Sequence, residues 1–367
     1  MRGYDSHSSV KYEREGVLSM NSSVTQKERI VSLDIIRGLA LFGILFINVA
    51  AYQMLVEGGP MPDYSGINGI INTLIDIFIE KKFFSIFSFL FGVGFYIFTS
   101  RAEARGDKPR WRFARRLLAL LLIGIVHVFI FWGSILAIYA VIGFLLIPFY
   151  NAKVSTISKW LFAIVTVHVL SILGQLFMPN QGALSTVFGI LGNDAVTIFI
   201  MFLTGFLAAK ADWISHISEY SKQIKWLQFV TFPLFVGISL WIWFAAQGGY
   251  ENLNSVISLG VIPTTYFYLA CLFVLLENKK IAKLLKPIGR VGQMAFTNYL
   301  AQSFIGLAIM SLMGLEVVSP SDVVIIAILI FIIQIIFSVI WFKFFKMGPF
   351  EKVWRFMTYG RKKVAKK

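Results

Sequence analysis

The chain reads as an all-α, polytopic integral membrane protein: about ten transmembrane helices plus one re-entrant or interfacial helix, with the N-terminus and C-terminus cytoplasmic. Three features carry this expectation. Hydrophobic residues make up 57% and charged residues 14% of the 367, whereas soluble domains run at about 45–50% apolar and about 25% charged. The 36 Phe, 13 Tyr and 9 Trp are more aromatic surface than a water-facing chain can cover. The basic residues, moreover, cluster in alternate loops.

A helix needs about 20 mostly apolar residues to cross a hydrocarbon core of about 30 Å. That ruler places crossings at 31–52, 83–100, 117–132, 134–150, 160–178, 194–209, 226–246, 255–276, 291–314 and 323–342. The run 117–150 lacks Asp, Glu, Lys and Arg throughout. It is too long for one crossing and suits two short ones with a tight turn near Gly133. Segment 67–79 is apolar but too short to span, and Glu80, Lys81 and Lys82 close it, so it reads as the re-entrant or interfacial helix.

Charge supports this count. The pieces 1–30, 101–116, 151–159, 210–225, 277–290 and 343–367 hold 31 of the 34 Lys and Arg, while 53–66, 179–193, 247–254 and 315–322 hold none. By the positive-inside rule the basic set is cytoplasmic. The net charge of +15 therefore reports topology, and no nucleic-acid partner is expected. The chain divides into a cytoplasmic N-terminal tail, 1–30, a bundle, 31–342, and a basic amphipathic tail, 343–367, suited to anionic lipid heads. Residues 1–19 are expected to be non-native if translation starts at Met20; they do not form a signal peptide. The single cysteine, Cys271, excludes an intramolecular disulfide and any CxxC site.

Polar groups inside lipid are costly and normally have partners, so they mark candidate sites. In SLDIIRGLALFGILFIN, Asp34, Arg37 and Asn48 share one helical stripe. A local ion pair explains part of it; a polar pathway or site explains the whole. His127, followed by Ser134 and Tyr139, is either a neutral imidazole bonded to a neighbouring helix or a proton handler. His168 lacks polar companions in its span. Asn298 and Gln302 lie at i and i+4 beside Thr297, with Arg290 entering from the cytoplasm; they suit helix glue or a binding site. Asp76 on the short helix is a solvated interfacial charge or part of a pocket wall. No Walker loop, GxSxG elbow, HExxH or His/Cys cluster occurs, so neither a metal site nor a permanently bound cofactor is expected.

The segments SLDIIRGLALFGILFIN (32–48), EKKFFSIFSFLFGVGF (80–95), HVFIFWGSILAIYAVIGFL (127–145), GRVGQMAFTNYLAQS (289–303) and GPFEKVWR (348–355) together resemble the YeiB-like family of bacterial integral membrane proteins. They occur in order across almost the whole chain. Ser134 stands where that family more often has Asp. The first span is more distantly similar to the start of the transmembrane acyltransferase superfamily, in which an Arg is followed eleven positions later by His or Asn; here Arg37 is followed by Asn48. The outer-loop His of the branch with Asn is absent from 53–82.

This resemblance implies an acyl-transfer scaffold. Acyl transfer needs a base and donors for a developing oxyanion. His127, Asn48 and Asp34 are the candidate catalytic set, with His127 as base and Asp34 orienting Arg37. Arg37 and Arg290 would clamp an acyl-coenzyme A co-substrate, with Asp76, Tyr139, Asn298 and Gln302 as further substrate-binding candidates and an envelope molecule as acceptor. The alternatives are a small-solute or proton-coupled transporter and a non-catalytic membrane scaffold. The convergence of His127, Asn48 and Arg37 on one cavity is the structural expectation that separates them.

Overall fold

The computed structural model describes residues 26–52, 62–178 and 182–360, with side chains from residue 31 onward. Met20, the expected N-terminal tail up to residue 25 and the basic run 361–367 lie outside the described residues. Among the described residues the structure is helical, without strands. In chain order the helices are α1 (Gln26–Ala51), α2 (Gly66–Phe78), α3 (Lys82–Glu103), α4 (Pro109–Val128), α5 (Leu136–Phe144), α6 (Val154–Phe177), α7 (Ala183–Leu191) and α8 (Asp194–Lys210). They continue with α9 (Ser221–Gln247), α10 (Leu253–Glu277), α11 (Lys279–Leu284), α12 (Lys286–Gln293), α13 (Ala295–Leu312), α14 (Pro320–Phe344) and α15 (Pro349–Tyr359).

Eight helical stretches among the described residues are long and apolar enough to cross a membrane, two of them the joined pairs α2–α3 and α7–α8. The protein is therefore an all-α polytopic membrane protein. Its lipid-facing surface carries large apolar side chains such as Phe162, Phe229 and Phe244, all exposed in the isolated chain.

Three local features differ from the sequence expectation. α4 begins at Pro109, eight residues before 117, so Arg110, Arg112, Arg115 and Arg116 belong to its first turns. Proline suits this position because its fixed φ and missing N–H cost nothing in a first turn. The second half of 117–150 is not one continuous crossing helix. After the turn around Gly133 comes the nine-residue α5, then a 3-10 turn at Ile147–Phe149. At 1.5 Å per residue, α5 covers only about 14 Å. Finally, α12 and α13 are separate helices where the single span 291–314 was expected.

Glycine contacts set the packing. A Cβ on Gly92 of α3 would lie 1.9 Å from the carbonyl oxygen of Phe202 in α8, and one on Gly205 would lie 1.9 Å from that of Phe89. The two helices run parallel, with Phe91 stacked on Phe202 and Phe95 against Phe206. Gly38 and Gly292 bring α1 and α12 together in the same way: a Cβ on Gly292 would sit 1.9 Å from the carbonyl of Asp34. Close backbone approach through small residues is how helices gain contact in lipid, where apolar burial alone gives no drive. α2 ends at a tight turn, and Lys81 starts α3 with φ 63°. Prolines 233 and 263 sit inside α9 and α10, which remain continuous.

Candidate functional site

The α1–α12 contact positions Arg37, and the parallel α3–α8 pair positions the aromatic wall opposite it. Between them lies a cavity of about 290 Å³ reached from the basic end of the bundle. Its walls are Ile44 of α1, Phe91 of α3, Leu120 of α4, Tyr139 of α5 and Tyr299 of α13. Its basic mouth is framed by Arg37, Arg116, Gln293, Glu351 and Trp354.

The mouth is tightly organised. Asp34 holds Arg37 at 2.9 Å, and the same guanidinium nitrogen reaches the Gly292 carbonyl at 3.5 Å. Arg116 lies 3.6 Å above the centre of the Trp354 ring. The indole N–H of Trp354 donates to the Arg116 carbonyl at 2.9 Å, locking the pair. Glu351 accepts from the backbone amides of Phe296 and Thr297 at the start of α13. Two guanidinium groups facing one chamber make it receptive to an anionic group, since each offers directional donors as well as charge.

Beyond the mouth, the cavity wall ends at Tyr299, whose hydroxyl accepts from the Ile135 amide at 3.1 Å. The side chains of Asn48 and Ser134 meet the same hydroxyl. The His127 ring centre is 5.6 Å from that of Tyr299. His127 is buried, with Ser134 Oγ 2.8 Å from its Nδ1 and Ser303 Oγ 3.2 Å from its Nε2. The hydroxyl of Tyr52 is buried next to Ser303. Thus α1, α4, the turn before α5 and α13 each contribute to one polar knot behind the cavity's inner wall. Arg37 lines the mouth and Asn48 lies behind the inner wall, eleven residues or roughly 16 Å away along α1 at 1.5 Å per residue.

Residues 208–361 match the family described as a protein of unknown function, DUF418. An uncharacterized 39.9 kDa protein from the amylase 3' region of Bacillus acidopullulyticus is 31% identical, over 91% of this chain and 95% of its own length. The chain belongs to the YeiB-like DUF418 family. Uncharacterized protein YxaH of Bacillus subtilis is also 31% identical, over 93% of this chain and 97% of its own length. Uncharacterized protein YeiB of Escherichia coli is 25% identical, over 90% and 96% respectively.

Of the polar residues singled out from the sequence of this DUF418 protein, Arg37 and Tyr139 line the cavity, whereas His127 and Asn48, expected to share it with Arg37, sit behind Tyr299 and off its wall. Arg290 does not line the chamber: it donates to Gln293 at 2.9 Å and lies over the Phe342 ring. Arg116 occupies the place opposite Arg37 that Arg290 was expected to take. Asn298 donates to Ser338 Oγ at 3.0 Å and to the Val291 carbonyl, and Gln302 donates to Gln334 Oε1 at 3.3 Å. Gln334 in turn donates to the Asn298 carbonyl. These amides join α13 to α14 and do not line the chamber. Tyr139 presents its ring to the cavity, while its hydroxyl is bonded to the Phe84 carbonyl and to Ser88 of α3.

Asp76 lies in a separate charged cluster at the opposite end. It accepts from Asn72 at 3.2 Å, and Lys82 donates to its carbonyl oxygen. Lys81 pairs there with Asp194 at 3.1 Å and with Ser258 at 2.9 Å. His168 finds its partners outside its own helix, bonding the Leu191 carbonyl and the Thr197 hydroxyl.

In the DUF418 site, the sequence reading passed over Arg116, Tyr299, Ser303, Glu351 and Trp354. Pro109 as a helix-start signal would have drawn Arg116 into α4. Tyr299 and Ser303 are one helical turn apart on α13, the helix already marked by Asn298 and Gln302, but on another part of its circumference.

Proposed function

We propose that this protein is a membrane-bound acyltransferase of the bacterial cytoplasmic membrane, taking an acyl group from a cytoplasmic acyl-coenzyme A to a hydroxyl-bearing envelope acceptor. One observation supports the reading: a single chamber has Arg37 and Arg116 at its basic mouth and Tyr299 in its inner wall, with His127 and Asn48 packed behind that tyrosine. The positive-inside rule puts that mouth in the cytoplasm, where anionic acyl donors are found. The two arginines hold the anionic part of the donor, and the aromatic interior accepts the acyl chain while excluding water. His127 takes up a proton during acyl transfer, and the Tyr299 hydroxyl and Asn48 amide stabilise the oxyanion. Asp34 keeps Arg37 aimed into the mouth.

The test is acyl transfer by purified protein. Radiolabelled acetyl-coenzyme A should label an envelope fraction with wild type and not with His127→Ala. Full-rate transfer by that variant would remove His127 from the reaction. Solute uptake into proteoliposomes without any acylated product would replace this reading with a transporter, for which the buried charges around Lys82 would be the natural pathway.

A further inference from the structure

His127 is held between two serines, one on each ring nitrogen, and this arrangement has a chemical direction. A neutral imidazole has one N–H donor and one acceptor nitrogen. Ser134 is the closer partner, 2.8 Å from Nδ1, whereas Ser303 is 3.2 Å from Nε2. Ser134 also meets the Tyr299 hydroxyl, and the next two residues, Ile135 and Leu136, line the chamber. Ser303 is on the far side of the ring, beside Tyr52. With the Nε2–H donating to Ser303, the bare Nδ1 accepts from Ser134. Nucleophile, base and orienting group stand in sequence, the relation that activates a hydroxyl for attack.

We propose that Ser134 is the acyl-accepting nucleophile of this site, so that transfer proceeds through a serine ester. The inference rests on the acyltransferase reading above. Ser134 Oγ attacks the thioester carbonyl carbon while its proton passes to His127 Nδ1. The oxyanion forms within reach of the Tyr299 hydroxyl and the Asn48 amide. The carbon–sulfur bond breaks, and the leaving thiolate takes the proton from Nδ1 to depart as a thiol. In the second half, the acceptor hydroxyl gives its proton to Nδ1 and attacks the ester carbonyl. The ester bond to Oγ breaks, and Ser134 regains its proton from His127. Ser303 acts only through the ring and is a positioning residue.

Purified wild type is incubated with radiolabelled acetyl-coenzyme A without acceptor, acid-quenched, digested and read by peptide mass and label. One acetyl group is expected on the peptide carrying Ser134, with ping-pong kinetics once acceptor is present. Ser134→Ala should lose both label and turnover, the latter by about 10³-fold or more. Ser303→Ala should keep the label and lower the rate of its formation. Turnover with sequential kinetics and no ester in wild type would overturn the serine intermediate and leave the acyltransferase reading standing; label found on Ser303 alone would overturn the assignment to Ser134. Absence of both ester and acylated product would overturn both. The measurement on wild type decides the matter even if Ser134→Ala does not fold.

Discussion

Glu351 and Thr297 bind each other in a closed exchange: the Thr297 hydroxyl donates to the Glu351 carboxylate at 2.5 Å and accepts from the Phe350 amide at 3.1 Å. α13 has no side-chain cap of its own, so an acid from α15 supplies one from a distance in sequence. A negative charge is favourable there, where the amides at the start of a helix are otherwise unpaired. Glu351→Ala should remove the cap and loosen α15, costing about 1–3 kcal/mol. A lower Tm of the detergent-solubilised protein and earlier proteolysis in the 345–349 connection are the measurable outcomes.

Arg116 and Arg37 frame the mouth without reaching the polar knot at the inner end, so their removal should weaken donor binding more than chemistry. Charge-assisted hydrogen bonds of this kind contribute about 1.5–3 kcal/mol. Arg116→Ala and Arg37→Ala should each raise KM for acetyl-coenzyme A by about 10–100-fold. Arg116→Lys should recover little, because an ammonium does not stack on Trp354 as a planar guanidinium does. An unchanged KM in all three would separate the mouth from donor binding.

Gly92 and Gly94 lie two residues apart, on nearly opposite faces of α3, and differ sharply in their surroundings. A Cβ at 92 would enter the Phe202 carbonyl, whereas one at 94 would meet nothing within 4 Å. Gly92→Ala should force α3 from α8 and lower stability by about 1–3 kcal/mol. Gly94→Ala should leave thermal stability within about 0.5 kcal/mol of wild type. Paired thermal-shift measurements check both.

Asp194 is the partially exposed partner of the nearly buried Lys81. Asp194→Asn would leave Lys81 only Ser258 and the field of Glu80 for compensation. The Tm should fall, with Lys81→Met in the same background restoring part of the loss, since an unpaired buried charge costs more than a removed one. Because this cluster is separate from the chamber, acyl transfer by the folded fraction should be unchanged.

The sequence foretold the membrane, most of the long helices and the polar stripe on α1, because hydropathy and helical period are local properties. Asp34, Arg37 and Asn48 do share a face, with Arg37 in the mouth and Asn48 at Tyr299. What periodicity cannot supply is the neighbour opposite a face. Asn298 and Gln302 were placed on one side of a helix correctly, but their partners are Gln334 and Ser338, not the chamber. Arg116 was assigned to a loop because a run of arginines resembles a cytoplasmic connection; Pro109 starts the helix ahead of them. Glu351 looked like one acid in a basic tail, and only folding reveals that it caps a helix more than fifty residues earlier.

α15 walls the mouth through Glu351 and Trp354, and it is synthesised after every other described helix. The earlier helices therefore reach the bilayer before the wall formed by Glu351 and Trp354 exists. Until α15 docks, Arg116 lacks its Trp354 ring and the start of α13 lacks its carboxylate cap.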